Sequence, residues 1–441
     1  MNKIHPSAII SPNAVFIKSR IFRIPINDDG MKRVLTIFTA LALSAAGLFA
    51  QGISGVWNGE LNLGTTKLAI VFHFEDGKCT MDSPDQGAFD IPADVEFISA
   101  DSVSVSQKDM DAKYHGRLSD GKIKGRFSQR GLSLPLDLVP GNRVLSRPQT
   151  PAGPFPYKTE EVTFTNGEAT LSGTLTFPEG WNGRKKVPVA IMVSGSGLQN
   201  RNEELFGHKP FLVIADYLAR RGIATLRYDD RGAGASKGDA ANATTEDFME
   251  DAIAGLNMLK DTRKFNKIGV IGHSEGGEIA FMLASRKQVD FLVSLAGPGV
   301  QGDSILLLQN INALRKAGYP MTPTKEQIRE SIKAQKNPWL DFFIDYDPLV
   351  DIREIRVPAL ILNGEKDTQV EAAVNVPTIE KNLPRGRKGN YASRKTKVKV
   401  YPDLNHLFQH CSTGQAEEYK LIEETISEEV LSDIAAWIRK L

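Results

Sequence analysis

The chain has 441 residues, 41% of them hydrophobic, with 54 lysines and arginines against 53 aspartates and glutamates and a net charge of +1. That balance excludes a disordered or collagen-like chain, and it supplies no basic field to hold nucleic acid or an acidic membrane. Two cysteines, Cys79 and Cys411, exclude a disulfide framework, and at roughly 100–200 residues per domain the length predicts two domains.

Met31-Lys32-Arg33 opens a positive stretch, and Val34–Ala50 carries no charge. A basic start, an apolar run and small residues near its end form the pattern of a secretory signal peptide. The run falls short of the roughly 20 residues a spanning helix needs. Cleavage after Ala50 leaves Gln51 first, although Leu48 is larger than ideal at the −3 position, and no cysteine follows to take a lipid. A signal peptide stands at the front of a chain, so Met31 is expected to be the true start and residues 1–30 a non-native extension. The expected location is periplasmic or extracellular, with no stable membrane insertion after cleavage; the intact mass of the exported protein checks this.

Residues 51–145 read as a small all-β domain. Leu68, Ile70, Phe72 and Phe74 alternate at period two, and further strand-like runs cover 94–99, 102–106, 113–118, 122–128 and 132–139. Asp76-Gly77 and Asp120-Gly121 are hairpin turn signals. Many short strands at this spacing predict a barrel-like or sandwich domain. Trp57, Phe72, His73 and Tyr114 are candidates for a ligand cavity, with core packing the better reading. Residues 146–159 are proline-rich and read as a semi-rigid linker.

From 160 to 441 apolar strands alternate with helices, the pattern of a mostly parallel sheet covered on both faces. Strands are expected at 187–193, 224–228, 267–271, 291–296, 359–363 and 397–401, and helices at 211–221, 245–260, 276–285 and 428–440. Within this frame lies Gly272-His273-Ser274-Glu275-Gly276, a G-x-S-x-G pattern. Alone it is weak. Its setting, between a strand running in and a helix running out, is that of a nucleophile elbow, with the helix N-terminus near developing negative charge.

A serine hydroxyl needs a base, itself oriented by a carboxylate, and in this kind of fold both follow the serine in the chain. Asp367 lies just past the strand at 359–363, with Glu365 the rival acid. His406 follows the strand at 397–401, with His410 the rival base. Two oxyanion donors are expected, the backbone N–H groups of Glu275 and Ser196, the latter in Ser194-Gly195-Ser196-Gly197. A base role for His406 predicts activity rising with pH through its ionisation. The histidines lack metal-ligand spacing and H-E-x-x-H is absent, so no metal and no other cofactor is expected.

The stretches Val193–Asn202, Tyr228–Gly238, Gly272–Gly277, Asn363–Val370 and Asn405–Gln409 together resemble the α/β-hydrolase superfamily, specifically a bacterial secreted esterase branch related to prolyl-oligopeptidase-like serine hydrolases. The resemblance covers about 160–441. It implies an α/β-hydrolase fold and serine-dependent ester hydrolysis with Ser274, Asp367 and His406 as triad, and Asp230 and Arg231 as braces beside the site. The loop 194–197 departs from the family's common His-Gly form. An insertion at about 298–356 reads as a helical cap carrying Tyr319, Trp339, Phe342, Phe343 and Tyr346, each a candidate for substrate contact or for burial.

The function expected is a carboxylesterase acting on small or medium acyl esters through an acyl-enzyme, its partner a small-molecule ester. A peptidase or aminopeptidase, an acyltransferase of the same fold, and a non-catalytic ligand-binding protein stay open. The sequence does not fix the oligomeric state.

Overall fold

The computed structural model describes residues 53–63, 67–83, 88–141, 147–316, 318, 322–386, 389 and 391–441. The signal-like segment 31–50, the expected extension 1–30 and Tyr319 lie outside the described residues. Two compact units are separated between residues 145 and 146.

The first unit is an antiparallel meander: β1 (Gly55–Asn62), β2 (Lys67–Glu75), β3 (Lys78–Ser83), β4 (Ala88–Ile98), β5 (Ser102–Gln107), β6 (Ala112–Ser119), β7 (Lys122–Gln129), β8 (Leu132–Pro135) and β9 (Val139–Pro140). Two of its hairpins turn where the sequence predicts. Asp76 and Gly77 have φ of 49° and 72°, and Asp120 and Gly121 have 54° and 74°, the paired positive φ of a type I′ turn. Arg130-Gly131 makes a third such turn, at φ 49° and 82°, without the usual Asn or Asp.

The sheet curls on itself. Leu136 and Leu138 hydrogen-bond to Gly125 and Ile123 of β7, and Val139 and Pro140 then pair with Asn58 and Trp57 of β1. Trp57, Phe72, Tyr114, Ile123, Leu136 and Leu138 pack together inside, with the Tyr114 hydroxyl donating to the Ile123 and Leu136 carbonyls. Three of the four cavity candidates are therefore core. His73, the fourth, lies 2.7 Å from the Asp82 carboxylate.

The second unit begins with a hairpin, β10 (Thr159–Asn166) and β11 (Ala169–Thr176), followed by β12 (Val187–Val193), α1 (Pro210–Ala219), β13 (Ala224–Tyr228), α2 (Thr245–Thr262), β14 (Phe265–His273), α3 (Glu275–Ser285) and β15 (Phe291–Leu295). Four helices intervene, α4 (Gly302–Lys316), α5 (Lys325–Lys333), α6 (Pro338–Asp345) and α7 (Leu349–Ile352). Then come β16 (Ala359–Gly364), α8 (Ala372–Asn382), β17 (Lys397–Tyr401), α9 (Ala416–Tyr419) and α10 (Glu428–Ile438). None of the described helices is long and apolar enough to cross a membrane.

The eight strands run in the order β10-β11-β13-β12-β14-β15-β16-β17. β10, β11 and β13 pair antiparallel, and every pair from β13 onward is parallel. One face packs on α2, α3 and α8 through residues such as Met249, Leu256, Phe281 and Ile379. The other packs on α1 and α10 through Phe211, Ile214, Ile434 and Trp437. Thr244 caps α2, its N–H donating to the Asp247 carboxylate at 2.8 Å, a local device that fixes where the helix begins.

The chain leaves β12 toward β13 on one side and returns to β14 on the other. Such a reversal opens a crevice at the carboxyl ends of the strands, where ligands bind in open α/β sheets. The proline-rich stretch, read as a spacer, is fastened to this unit. The Arg147 guanidinium donates to the carbonyls of Phe206, Lys420 and Ile422, Gln149 to that of Ile426, and the Tyr157 hydroxyl to Asp216 at 2.9 Å.

Candidate active site

Ser274 stands between the last residue of β14 and the first of α3, with φ 55° and ψ −118°. That backbone region costs on the order of 1–3 kcal/mol for a non-glycine residue and persists only where the surroundings force it. The two flanking glycines do so. A Cβ on Gly272 would lie 1.9 Å from the Gly276 carbonyl oxygen, and one on Gly276 would lie 2.0 Å from the Val193 carbonyl oxygen of β12. Helix and strand thus touch backbone to backbone beneath the serine. Gly276→Ala is expected to lower folding stability by about 1–3 kcal/mol, because a β-strand carbonyl cannot move aside as a side chain would. Urea unfolding monitored by circular dichroism measures it.

The loops after β16 and β17 bring Asp367 and His406 together. His406 Nδ1 lies 2.7 Å from Asp367 Oδ2, both groups buried. The other carboxylate oxygen accepts the N–H groups of Gln369 and Val370 at 2.8 and 2.9 Å. With both oxygens acting as acceptors, the histidine proton sits on Nδ1, which leaves Nε2 free to accept one. Ser274 and His406 line the same pocket, without a hydrogen bond between them among the described residues; such contacts often tighten only in the complex with substrate. The rivals are elsewhere: Glu365 is exposed, and His410 is exposed and bonded to Glu424 at 2.8 Å.

Ser196 and Glu275 also line the pocket. The Glu275 N–H belongs to the first turn of α3, whose donors have no partner within the helix. Two buried carboxyl groups hold the loop that carries Ser196, and Glu275 is a third buried carboxyl lining the same pocket. Asp230 accepts the Ser194 hydroxyl at 3.0 Å and the Gln199 N–H at 2.8 Å. Glu203 accepts the Gly195 N–H at 2.7 Å. Glu275 accepts the Thr245 hydroxyl and the Trp339 indole N–H, each at 2.7 Å. Arg231 braces the same region through two contacts of 2.7 Å with Asp251, as the resemblance implies.

Bare carboxylates here would oppose an anion forming near Ser274. Burial pushes Asp230 up to about 8, so that this group favours the neutral form at neutral pH, and it raises Glu275 above the usual carboxyl range despite its hydrogen bonds. A carboxyl raised in the folded state contributes stability that is complete below the ordinary aspartate pKa and is lost as pH rises to about 8. Asp230→Asn removes that titration while keeping shape and polarity. Wild type is therefore expected to lose stability relative to the variant between pH 4 and pH 9, a widening gap readable from urea midpoints.

The pocket holds about 250 Å3. Ile305, Leu306, Trp339, Leu340 and Phe343 from α4 and α6 form its roof. Of the aromatic residues predicted for the cap, Trp339 and Phe343 thus reach the pocket, stacked at 5.5 Å, whereas Phe342 and Tyr346 pack against the main core. Glu203 and His273 also line the site, and sequence reasoning missed both. Glu203 lies in a polar run, Asn200-Arg201-Asn202-Glu203, that no spacing rule marks; His273 occupies a variable position of G-x-S-x-G.

Residues 209–357 match the family model of the S33 serine aminopeptidases, a span that includes Ser274 and ends before Asp367. The chain is 26% identical over 304 residues to an esterase, EstD, of Thermotoga maritima, covering 65% of this chain and 69% of that one. It is 28% identical over 143 residues to an acyl transferase of Photorhabdus laumondii, 32% of this chain and 43% of that one. Among solved structures, an esterase of Pyrococcus furiosus aligns over 68% of this chain and 99% of its own, with 20% identity and a TM-score of 0.45.

Proposed function

We propose that the chain is a member of the α/β-hydrolase superfamily, in keeping with its family-model match and its esterase relative, and an exported serine carboxylesterase that cleaves small or medium acyl esters through an acyl-enzyme. The observation that carries the reading is the meeting, in one pocket, of a strained elbow serine with a histidine whose Nδ1 is bound to a buried carboxylate. In the proposed reaction Ser274 Oγ attacks the ester carbonyl while His406 Nε2 takes its proton. The oxyanion is received by the N–H groups of Ser196 and Glu275. Collapse expels the alcohol, protonated by His406, and water then repeats the sequence to release the acid.

The pocket lining supports an uncharged substrate. Among the described residues no lysine or arginine lines it, and its two glutamates are already engaged by internal donors. The apolar roof suits an acyl chain, and the volume suits a short or medium one. Export rests on the signal-like segment 31–50.

The test is turnover of p-nitrophenyl esters of graded acyl length beside aminoacyl p-nitroanilides, together with labelling of Ser274 by an organophosphonate. Ester cleavage and phosphonylation at Ser274 support the proposal. Cleavage confined to the anilides favours an aminopeptidase. Acyl transfer to an added alcohol that outruns hydrolysis favours an acyltransferase, and an unlabelled Ser274 ends the serine-hydrolase reading.

A further inference from the structure

Beneath Ser274 lies a second histidine–carboxylate pair that the reaction above does not use. Glu203 and His273 are 6% and 7% exposed. Glu203 Oε1 lies 2.9 Å from His273 Nδ1 and also accepts the Gly195 N–H at 2.7 Å. His273 Nε2 lies 3.0 Å from the backbone carbonyl oxygen of His406. Both ring nitrogens thus face acceptors. A carbonyl cannot donate, so Nε2 carries a proton; a carboxylate already holding an amide N–H calls for a second proton on Nδ1. The ring is an imidazolium paired with Glu203.

We infer that Glu203 and His273 are positioning residues for the proposed ester hydrolysis, a buried ion pair that pins both the Ser196 loop and the His406 backbone to the end of β14. The inference rests on the serine-hydrolase reading. Through Gly195 the pair sets where the Ser196 N–H points, and through the His406 carbonyl it sets where the base stands. The three segments are far apart in the chain, and these hydrogen bonds tie them together within one residue of the nucleophile. Glu203 itself has φ 52°, an uncommon conformation for a residue that is not glycine, held while its side chain is engaged.

The pair also settles the charge of the Glu203 carboxyl. Burial favours the neutral form of Asp230 and raises Glu275 above the usual carboxyl range, and Glu203 is paired with His273. Burial opposes the charge on His273. Glu203, through its charge and its hydrogen bond, the His406 carbonyl and the nearby Asp367 carboxylate outweigh it and hold the ring above the ordinary imidazole range. The His273 and His406 rings stand 4.7 Å apart, yet the compensating Glu203 leaves the base beside no uncompensated cation.

Two measurements test the inference. In the 15N spectrum of histidine-labelled wild type, the resonances lost in His273→Asn should show both ring nitrogens protonated from pH 6 to pH 8.5; a His273 ring that is neutral by pH 8 overturns the ion pair. In kinetics, Glu203→Gln and His273→Asn should each lower kcat by about 10²-fold, the scale of a misplaced catalytic group, with KM within about threefold. A folded variant that keeps kcat, or whose whole loss lies in KM, overturns the positioning role. If neither variant folds, the His273 ring is assigned in wild type by through-bond correlation to its own backbone amide, and the wild-type spectrum still decides. Phosphonylation of wild-type Ser274 separates the two levels: a labelled wild type with undiminished variants defeats this inference alone, and an unlabelled wild type defeats the hydrolase reading beneath it.

Discussion

Ser274→Ala is expected to lower kcat on ester substrates by 10⁴-fold or more, with KM little changed and folding stability the same within about 0.5 kcal/mol. In the proposed reaction the large loss follows because alanine removes the atom that would form the acyl-enzyme, while the proposed oxyanion donors and the pocket survive to give only residual catalysis. The small change in stability follows from the backbone. The strain at Ser274 comes from Gly272 and Gly276 pressing strand against helix, and alanine at 274 bears the same strain as serine. The Ser274 hydroxyl also makes no hydrogen bond with another described residue whose loss would be felt. Steady-state kinetics beside urea unfolding reads both quantities. A variant that keeps more than about 1% of wild-type kcat would place the nucleophile elsewhere.

What the sequence discloses here follows from the range of the forces involved. The elbow was legible because strand, serine, glycines and helix are neighbours in the chain, and local sterics decide their geometry. The Asp-Gly hairpins were legible for the same reason: two consecutive positive φ values select those residues. Asp367 was reachable because it follows a strand announced by its apolar run, Ala359–Gly364, and His406 because it follows one marked by alternating Lys and Val, Lys397–Tyr401. The hairpin β10–β11 was not picked out, since Thr159–Asn166 alternates polar residues with few apolar ones and gains its place through pairing. The helix α8, with Pro377 inside it, also escaped, since proline reads as a helix breaker. Arg147, Glu203 and His273 were illegible for a deeper reason. Their partners are carbonyls and amides distant in the chain, and a backbone acceptor leaves no mark on residue type.

The same contrast bears on the cap. The apolar residues of α4 and α6 show only that something is buried, and which aromatic ring meets the pocket depends on helix phase against the main unit. Trp339 is fixed by more than packing, because its indole donates to Glu275, the residue whose own N–H is proposed to receive the oxyanion. Substrate fit under the roof and donor geometry beside the serine therefore share one buried carboxyl group. A change of roof at Trp339 is felt at the reacting carbon as well as in the acyl pocket.

Asp367→Asn is expected to lower kcat by about 10⁴-fold while the fold stays intact. The argument turns on which oxygen is already occupied. Gln369 and Val370 both donate to Asp367 Oδ1, so the amide oxygen of asparagine takes that place and its NH2 group faces His406 in place of Oδ2. That group donates to Nδ1, which must then be unprotonated, and the ring proton moves to Nε2. A histidine protonated at Nε2 cannot accept the Ser274 proton, so the loss is one of tautomer and not of structure. Nitrogen-15 shifts of His406 should exchange their Nδ1–H and Nε2 assignments between wild type and variant, with the unfolding midpoint close to wild type. An asparagine variant that keeps a tenth of the activity, or a His406 whose tautomer is unchanged, would show that Asp367 does not orient the base.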